Sequence, residues 1–410
     1  MEVLFVNLVY GVGSTGKIIA DIMDLLKSHG HKVKVLYGSG PNINNDDAIK
    51  ISTKPEYYFH NALSRFTDHT GLYSAAATRR LIREVQAFAP DLIHLHTLHG
   101  YYVNYEKLFH YLKRADIPIV WTQHDCWSFT GHCTHYSQIG CTQWKTLCKD
   151  CRLLHQYPQC YLHGDVRHNY LRKKEAFTGV KNLIITTPSQ WLANQVSQSF
   201  LQNYPTLVVP NGIDRNVFHK RPSQLKSKYH LLNKNIVLGV ANVWNTHKGL
   251  QDLLSLSNRL GAAYQVVLIG LSEKQLSKMP SNILGLQRTT DQTELAQWYT
   301  IADVFVNPTY EDTFPTVNLE AQACGTPVID SWKGVYQTGG CPETLVTNDS
   351  VLIPQGDLTA MERAVRRIVM DNVRVDSNIT ECLDKDRAYA KYIQLYQQIS
   401  ESIQAEHTAH

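Results

Sequence analysis

The sequence has no apolar run near the ~20 residues that a membrane-crossing helix needs. Its longest strong run, Val266 to Leu271, has the length of a strand. Strong charge of either sign is also missing. The net charge is +4 over 410 residues with histidine neutral, too weak to argue for nucleic acid. Charged residues make up 19% against 43% hydrophobic, which excludes a disordered chain, since there is ample side chain to bury. Repeats and low-complexity segments are absent. The start, Met1-Glu2-Val3-Leu4-Phe5, lacks a basic n-region and is expected to form a first strand, not a signal peptide. The abundant residues are 19 His, 22 Tyr and a local cluster of Cys, with six of nine between positions 126 and 160. Without an export signal, such a cluster points to metal or reduced thiols ahead of disulfides, in a cytoplasmic protein.

A prior of roughly 150 residues per domain gives two to three domains. Strand-like runs alternate with helical patterns. Val3 to Val6 precedes an amphipathic stretch with Ile18, Ile19, Ile22, Leu25 and Leu26, closed at Gly30. Val33 to Leu36, Leu92 to Leu95 and Ile117 to Val120 continue the rhythm, with helices near 74–88 and 104–114. It lapses between 125 and 163, then resumes with Leu183 to Ile185 and a helix from Ser189. A second series starts at Asn235 and includes Ile236 to Val240, Val266 to Ile269, Val304 to Val306, Val328-Ile329 and Val351 to Ile353. This is βαβ rhythm, and parallel doubly wound sheets are its usual solution. The expected fold is therefore α/β, with two Rossmann-like domains and a ligand in the cleft between them. The expected boundaries are 1–205 with a Cys-rich insertion at 125–163, then 206–383, then a final helix over 384–410.

Three segments carry chemistry. Gly11-Val12-Gly13-Ser14-Thr15-Gly16-Lys17 follows the first strand and opens a helix. Glycines admit a close ligand, and free N–H groups at the helix start favour a phosphate. The spacing matches the dinucleotide fingerprint, but no acid ends the second strand, and an ordinary tight turn fits too. His247-Lys248-Gly249-Leu250 puts a cation at a helix start, which is disfavoured unless an anion is shared with the dipole. Asp312 to Glu320 precedes Ala321-Gln322-Ala323-Cys324-Gly325-Thr326-Pro327. Pro315 or Thr316 begins a short helix there, and Asp312 and Glu320 could bracket a polyhydroxyl ligand.

These segments, with Val209-Pro210-Asn211-Gly212-Ile213-Asp214 and Ala302 to Pro308, resemble the retaining family 4 glycosyltransferases of GT-B fold. Leu95-His96-Thr97-Leu98-His99-Gly100 and Gln123-His124-Asp125-Cys126-Trp127 look like the colanic-acid and exopolysaccharide branch. The resemblance covers nearly the whole chain. It implies transfer of a sugar from a nucleoside diphosphate sugar to a hydroxyl of a surface polysaccharide or lipid-linked glycan, without a catalytic cofactor. It implies that Glu320 binds ribose, that Lys248 neutralises the diphosphate, and that amides of Thr316 and Val317 with Gly13 reach phosphate or sugar. The first acid of the E-x7-E signature is Asp312, with Glu311 kept open. Ser14, Asn211, Gly212, His247, Phe314 and Pro315 complete the implied donor contacts, and His124 lies near the donor sugar. Asn242 stands where the family usually has Arg, with His247 or Arg215 as compensating groups. His99, Gly100, His124 and Asp125 are placed on the acceptor side. A sugar-nucleotide epimerase and an inactive binding module are the rival readings.

Two expectations remain. Cys133, Cys141, Cys148 and Cys151 offer four thiolates with one C-x-x-C knuckle, enough for a structural zinc, with reduced buried thiols as the other reading. Arg79, Arg80, Arg83, Lys113, Arg114, Arg172, Lys173 and Lys174 could draw the enzyme to the inner face of an anionic membrane, or simply be solvated.

Overall fold

The computed structural model describes residues 1–43, 45–333 and 339–408. The chain forms two compact units: Met1–Pro210 with Tyr389–His410, and Asn211–Ala388.

In the first unit the described residues build a parallel sheet of β1 (Glu2–Asn7), β2 (Lys32–Tyr37), β3 (Ala48–Lys50), β4 (Leu92–Leu95), β5 (Ile119–Thr122), β6 (Leu183–Thr187) and β7 (Thr206–Val208). Their spatial order is β3-β2-β1-β4-β5-β6-β7. Val3, Leu4, Phe5 and Val6 are all fully buried, as a parallel strand covered on both faces requires. Helices α1 (Gly13–Ser28), α2 (Lys54–Thr67), α3 (Ala75–Phe88), α4 (Tyr105–Ala115), α5 (Val166–Phe177) and α6 (Gln190–Val196) join the strands. Ile18, Ile19, Ile22, Met23 and Leu26 are the buried stripe of α1. Helix α2 opens on a capping box between Thr53 and Glu56.

Between α4 and α5 the Cys-rich stretch holds only short 3₁₀ turns, at Trp127–Phe129, Ser137–Ile139 and Gln143–Lys145. It is not a separate domain. Phe129, Tyr136 and Trp144 join the same apolar core as Trp121 and Phe177.

The second unit holds α7 (Leu225–Lys228), β8 (Asn235–Val240), α8 (Leu250–Leu260), β9 (Tyr264–Ile269), α9 (Glu273–Leu276), β10 (Ile283–Leu286) and α10 (Gln292–Ile301). It continues with β11 (Val304–Asn307), α11 (Thr316–Ala323), β12 (Val328–Trp332), β13 (Val351–Pro354) and α12 (Leu358–Met370). Strand order is β10-β9-β8-β11-β12-β13, again parallel. Helix α13 (Lys385–Thr408) begins in this unit, and from Tyr389 onward it belongs to the first. There the Tyr396 hydroxyl bonds His94 Nδ1 at 2.6 Å, and the Tyr392 hydroxyl bonds Thr122 Oγ1 at 3.1 Å.

In each sheet the connections run outward in opposite directions from one central pair, β1/β4 in the first unit and β8/β11 in the second. Open α/β sheets bind ligands beyond the carboxyl ends of the strands at such a switch point.

Candidate active site

At the switch point of the second unit, the loop after β8 meets the loop after β11. The Lys248 ammonium lies 2.5 Å from Asp312 Oδ2. Lys248 is not the first residue of α8, as its sequence position suggests. It closes a separate turn, Thr246–Lys248, where its backbone N–H donates to Asn245 Oδ1 at 3.1 Å. Gly249, at φ +67°, then reverses the chain into α8. A Cβ there would come within 2.3 Å of the Pro308 carbonyl oxygen, so this approach of the two loops requires glycine. The loops are tied further by Tyr310 N–H donating to His247 O at 2.7 Å. Burial alone would lower the pKa of Lys248, but the Asp312 carboxylate outweighs it and holds the pKa above its usual value. Lys248 therefore stays cationic.

Asp312, not Glu311, faces this lysine, and its Oδ1 accepts the Phe314 N–H at 3.1 Å. Glu311 is buried. Pro315 is the N-cap of α11, so Thr316 and Val317 form its first turn, both half-buried. Glu320, one turn on, accepts the Tyr299 hydroxyl at 3.1 Å. Behind the pair, Asp330 in the middle of β12 is fully buried. Burial pushes its carboxyl up to about 7, against donors Asn318 Nδ2 at 2.5 Å and Ser331 N at 2.6 Å.

Beyond β8, β9 and β10 lies a cavity of about 550 Å³ lined by Asn242, Trp244, Gly270, Leu271, Ser272, Gln275, Gln287 and Arg288, among others. Its volume suits a small-molecule ligand. Of these residues, sequence reasoning reaches only Asn242. Gly270 carries the one available signal, a lone glycine ending a strand. Its φ is +101°, and a Cβ would lie 1.6 Å from the Ala241 carbonyl oxygen. Asn211 is buried, and Gly212 packs against Lys385, whose Cα would lie 2.3 Å from an added Cβ. Arg215 lies 3.7 Å from Glu381.

In the first unit, Gly13 and Ser14 are exposed at the start of α1, and Gly13 has φ +65°. Asn7 joins this loop to the one after β4. Its Nδ2 donates to Thr15 Oγ1 at 3.2 Å, and its Oδ1 accepts the Thr97 N–H at 3.1 Å. His96 and His124 stack and share a hydrogen bond of 2.9 Å between His96 Nδ1 and His124 Nε2. Burial lowers His124 to about 4, so it is neutral at pH 7. His99 Nε2 bonds Asp125 Oδ2 at 2.7 Å. Gly100 follows at φ +103°.

Two expectations are corrected. Among the described residues, no group of three or more His, Cys, Asp or Glu side chains is arranged to hold a metal ion. Cys133, Cys141, Cys148 and Cys151 are all thiols. A bond from Cys133 to Cys151 raises the first thiol's pKa and lowers the second's. Cys148 accepts the Gly131 N–H at 3.3 Å. Lys173 is the second correction. It is buried and donates to Trp127 O at 2.7 Å and Thr130 O at 3.1 Å, with its ammonium 3.6 Å from the Trp127 ring centroid. It faces no membrane.

Two Rossmann-like units, each with a polar constellation at its switch point, define a GT-B-type architecture. The sequence pattern of Glycosyltransferase Family 4 matches residues 15–217, and that of Glycosyl transferases group 1 matches residues 234–371. The chain belongs to this family of GT-B glycosyltransferases. It is 24% identical over 366 residues to WcaC of Escherichia coli (strain K12), provisionally named a colanic acid biosynthesis glycosyl transferase, spanning 83% of this chain and 86% of that one. It is 29% identical over 172 residues to the capsular polysaccharide biosynthesis glycosyltransferase CapM of Staphylococcus aureus, spanning 39% of this chain and 44% of CapM. In fold it resembles sucrose-phosphate synthase from Thermosynechococcus elongatus, with TM-score 0.72, 16% identity and coverage of 98% and 99%. It also resembles Anabaena HepE, solved with UDP-glucose, with TM-score 0.61, 16% identity and coverage of 99% and 100%. Among the described residues, no helix is long and apolar enough to cross a membrane.

Proposed function

We propose that this protein moves a sugar, with retention at the anomeric carbon, from a nucleoside diphosphate sugar to a hydroxyl of a surface-polysaccharide precursor or lipid-linked glycan. The observation that carries the reading is the Lys248–Asp312 pair beside the first turn of α11. In this reading the donor belongs to the second unit. Its nucleoside takes the cavity lined by Trp244, Gly270 and Arg288, Glu320 receives the ribose hydroxyls, and the diphosphate meets Lys248 and the amides of Thr316 and Val317. Asp312 then accepts hydrogen bonds from the donor sugar. Departure of the nucleoside diphosphate concentrates negative charge on its terminal oxygens. A fixed ammonium and a helix N-terminus stabilise that charge without reorganising.

Retention by double displacement needs two carboxylates about 5 Å apart across the anomeric carbon. No such nucleophile is assigned here. The acceptor hydroxyl attacks instead from the face that the leaving group vacates, and a diphosphate oxygen takes its proton. No metal is given a role in this scheme. The acceptor belongs to the first unit, beside His124, whose neutral imidazole can accept a hydrogen bond. The relatives named for colanic acid and capsule synthesis support a polysaccharide product.

A thermal-shift panel of nucleotide sugars tests the donor half. One donor is expected to raise Tm, and Glu320→Ala is expected to abolish the shift. No shift with any donor, or an unchanged shift in the variant, overturns the assignment. Product analysis without acceptor separates transfer from epimerisation.

A further inference from the structure

We propose that Tyr157, His99 and Asp125 form an acceptor-sugar subsite, in which the Tyr157 hydroxyl forms a hydrogen bond with a hydroxyl of the incoming sugar. This deepens the transferase reading above and rests on it.

The topology brings the three together. His99 follows β4 and Asp125 follows β5, so both stand at the carboxyl edge of the first sheet, beside its switch point. Tyr157 arrives from the Cys-rich stretch, 58 residues beyond His99. His99 Nε2 is 2.7 Å from Asp125 Oδ2, and His99 Nδ1 is 3.0 Å from the Tyr157 hydroxyl. Asp125 Oδ1 is fixed in turn by the Trp127 N–H at 2.8 Å. The His99 ring is wedged between Trp127 at 5.5 Å and Tyr157 at 5.6 Å.

The hydrogen-bond logic assigns the protons. Burial acts to raise the Asp125 pKa, but His99 and the Trp127 amide more than offset it and hold it near 2, so the carboxylate can only accept. Nε2 then donates to the carboxylate, and Nδ1 faces the phenol, whose one hydrogen and two lone pairs let it bond the ring and still serve a second partner. Among the described residues the phenol's hydrogen bond is the one to Nδ1, so its oxygen keeps capacity for a newcomer. A sugar hydroxyl, which can donate or accept, fits it.

Exposure separates this arrangement from a packing device. His99 is 8% exposed, whereas Tyr157 is 46% exposed. The tyrosine is thus open to solvent while the histidine that holds it is not. An open aromatic face suits the C–H surface of a pyranose, because a tyrosine combines an apolar body with a polar tip. The backbone after His99 is strained as well. Gly100 has φ +103° and Tyr101 φ +71°, and a left-handed conformation in an aromatic residue costs about 1–3 kcal/mol. Such strain clusters at ligand sites. Tyr101 also meets Tyr57 edge-on at 5.7 Å, which extends the aromatic wall. The stretch without periodicity thereby supplies a residue to the site.

Tyr157 is the group that touches the sugar. His99 and Asp125 are positioning residues. The test uses the full-length protein and a panel of octyl glycosides of glucose, galactose, mannose, fucose and N-acetylglucosamine, with binding read by saturation-transfer NMR. At least one glycoside is expected to bind. Tyr157→Phe keeps the ring and removes the oxygen, and is expected to weaken that glycoside roughly five- to tenfold. Asp125→Asn is expected to weaken it similarly, and the double variant no further than Tyr157→Phe alone, because the residues act as one chain. The donor-induced thermal shift is expected to survive in every variant. Unchanged affinity in Tyr157→Phe, additive losses in the double variant, or no glycoside bound by the native protein would each overturn the proposal. Loss of the donor shift together with glycoside binding would also overturn it, by making Tyr157 a folding residue. Failure of the native protein to bind any nucleotide sugar, with Tyr157-dependent glycoside binding intact, would sink the donor reading alone.

Discussion

His60 offers a quantitative test of how buried histidines tie the first unit to pH. The ring lies within α2 and is fully buried. Its Nε2 accepts the Gly71 N–H at 3.0 Å, so Nδ1 carries the hydrogen and donates to Ser74 Oγ at 2.6 Å. Protonation would put a second hydrogen against the Gly71 amide and a charge into an apolar site. Burial accordingly lowers the pKa to about 4. The unfolded value is about 6.5, so the folded state binds the proton more weakly than the unfolded chain does. The stabilisation is therefore complete above about pH 6.5 and is lost as pH falls toward 4. Between pH 7 and pH 5 these two values give a loss of about 2 kcal/mol. His60→Gln retains an oxygen that can accept from Gly71 but cannot take a proton. Guanidinium unfolding of both proteins at the two pH values yields a difference of differences. His94, His96 and His124 titrate in both proteins and cancel. The expected result is that the variant loses about 2 kcal/mol less than the native protein on acidification. Equal losses, or an NMR titration of His60 near 6.5, would refute the reasoning.

Asp330 should respond with the opposite sign. Its pKa in the fold, about 7, exceeds the unfolded value of about 3.9. Its contribution is complete below pH 4 and lost as pH rises through 7, roughly 3 kcal/mol between pH 5 and pH 8. Asp330→Asn should flatten that alkaline decline in denaturant unfolding, and an unchanged slope would count against it. Gly270→Ala places a methyl 1.6 Å from the Ala241 carbonyl oxygen and should cost about 3 kcal/mol or more, seen as a lower Tm. Lys248→Met, in the proposed mechanism, should lower the transfer rate by roughly 10²–10³-fold. A rate within twofold of native would remove Lys248 from the chemistry.

The alternation of strands and helices is legible because parallel strands bury both faces and so read as continuous apolar runs, as in β1 and β9. Helix α1 is equally legible from its stripe of Ile18, Ile19, Ile22 and Leu26. Helix α2 is not. It buries His60 and Ser64 and exposes Tyr58, Phe59 and Phe66, so its hydrophobic pattern points away from the core. The local motifs place Lys248, Asp312 and the first turn of α11 because those residues lie in short loops fixed by Gly249 and Pro315. The pairing of Glu320 with Tyr299 and of Tyr157 with His99 is hidden, because each joins elements whose proximity only the folded topology sets. The cysteines are legible as a cluster but not as a site. Spacing along the chain allows four thiols to approach, and Cys133 does bond Cys151, yet among the described residues no group of three or more such side chains is set to hold a metal ion.

Helix α13 sets an order of events during synthesis. His94 on β4 bonds Tyr396, and Thr122 on β5 bonds Tyr392, so each of these central-strand groups takes one of its partners from α13. Some 180 residues of the second unit, Asn211–Ala388, leave the ribosome before those tyrosines do. The first unit is thus the first begun and the last finished. A fragment ending at Pro210 would keep the bond between His94 Nε2 and Thr122 but leave His94 Nδ1, in the middle of the sheet, without its phenol.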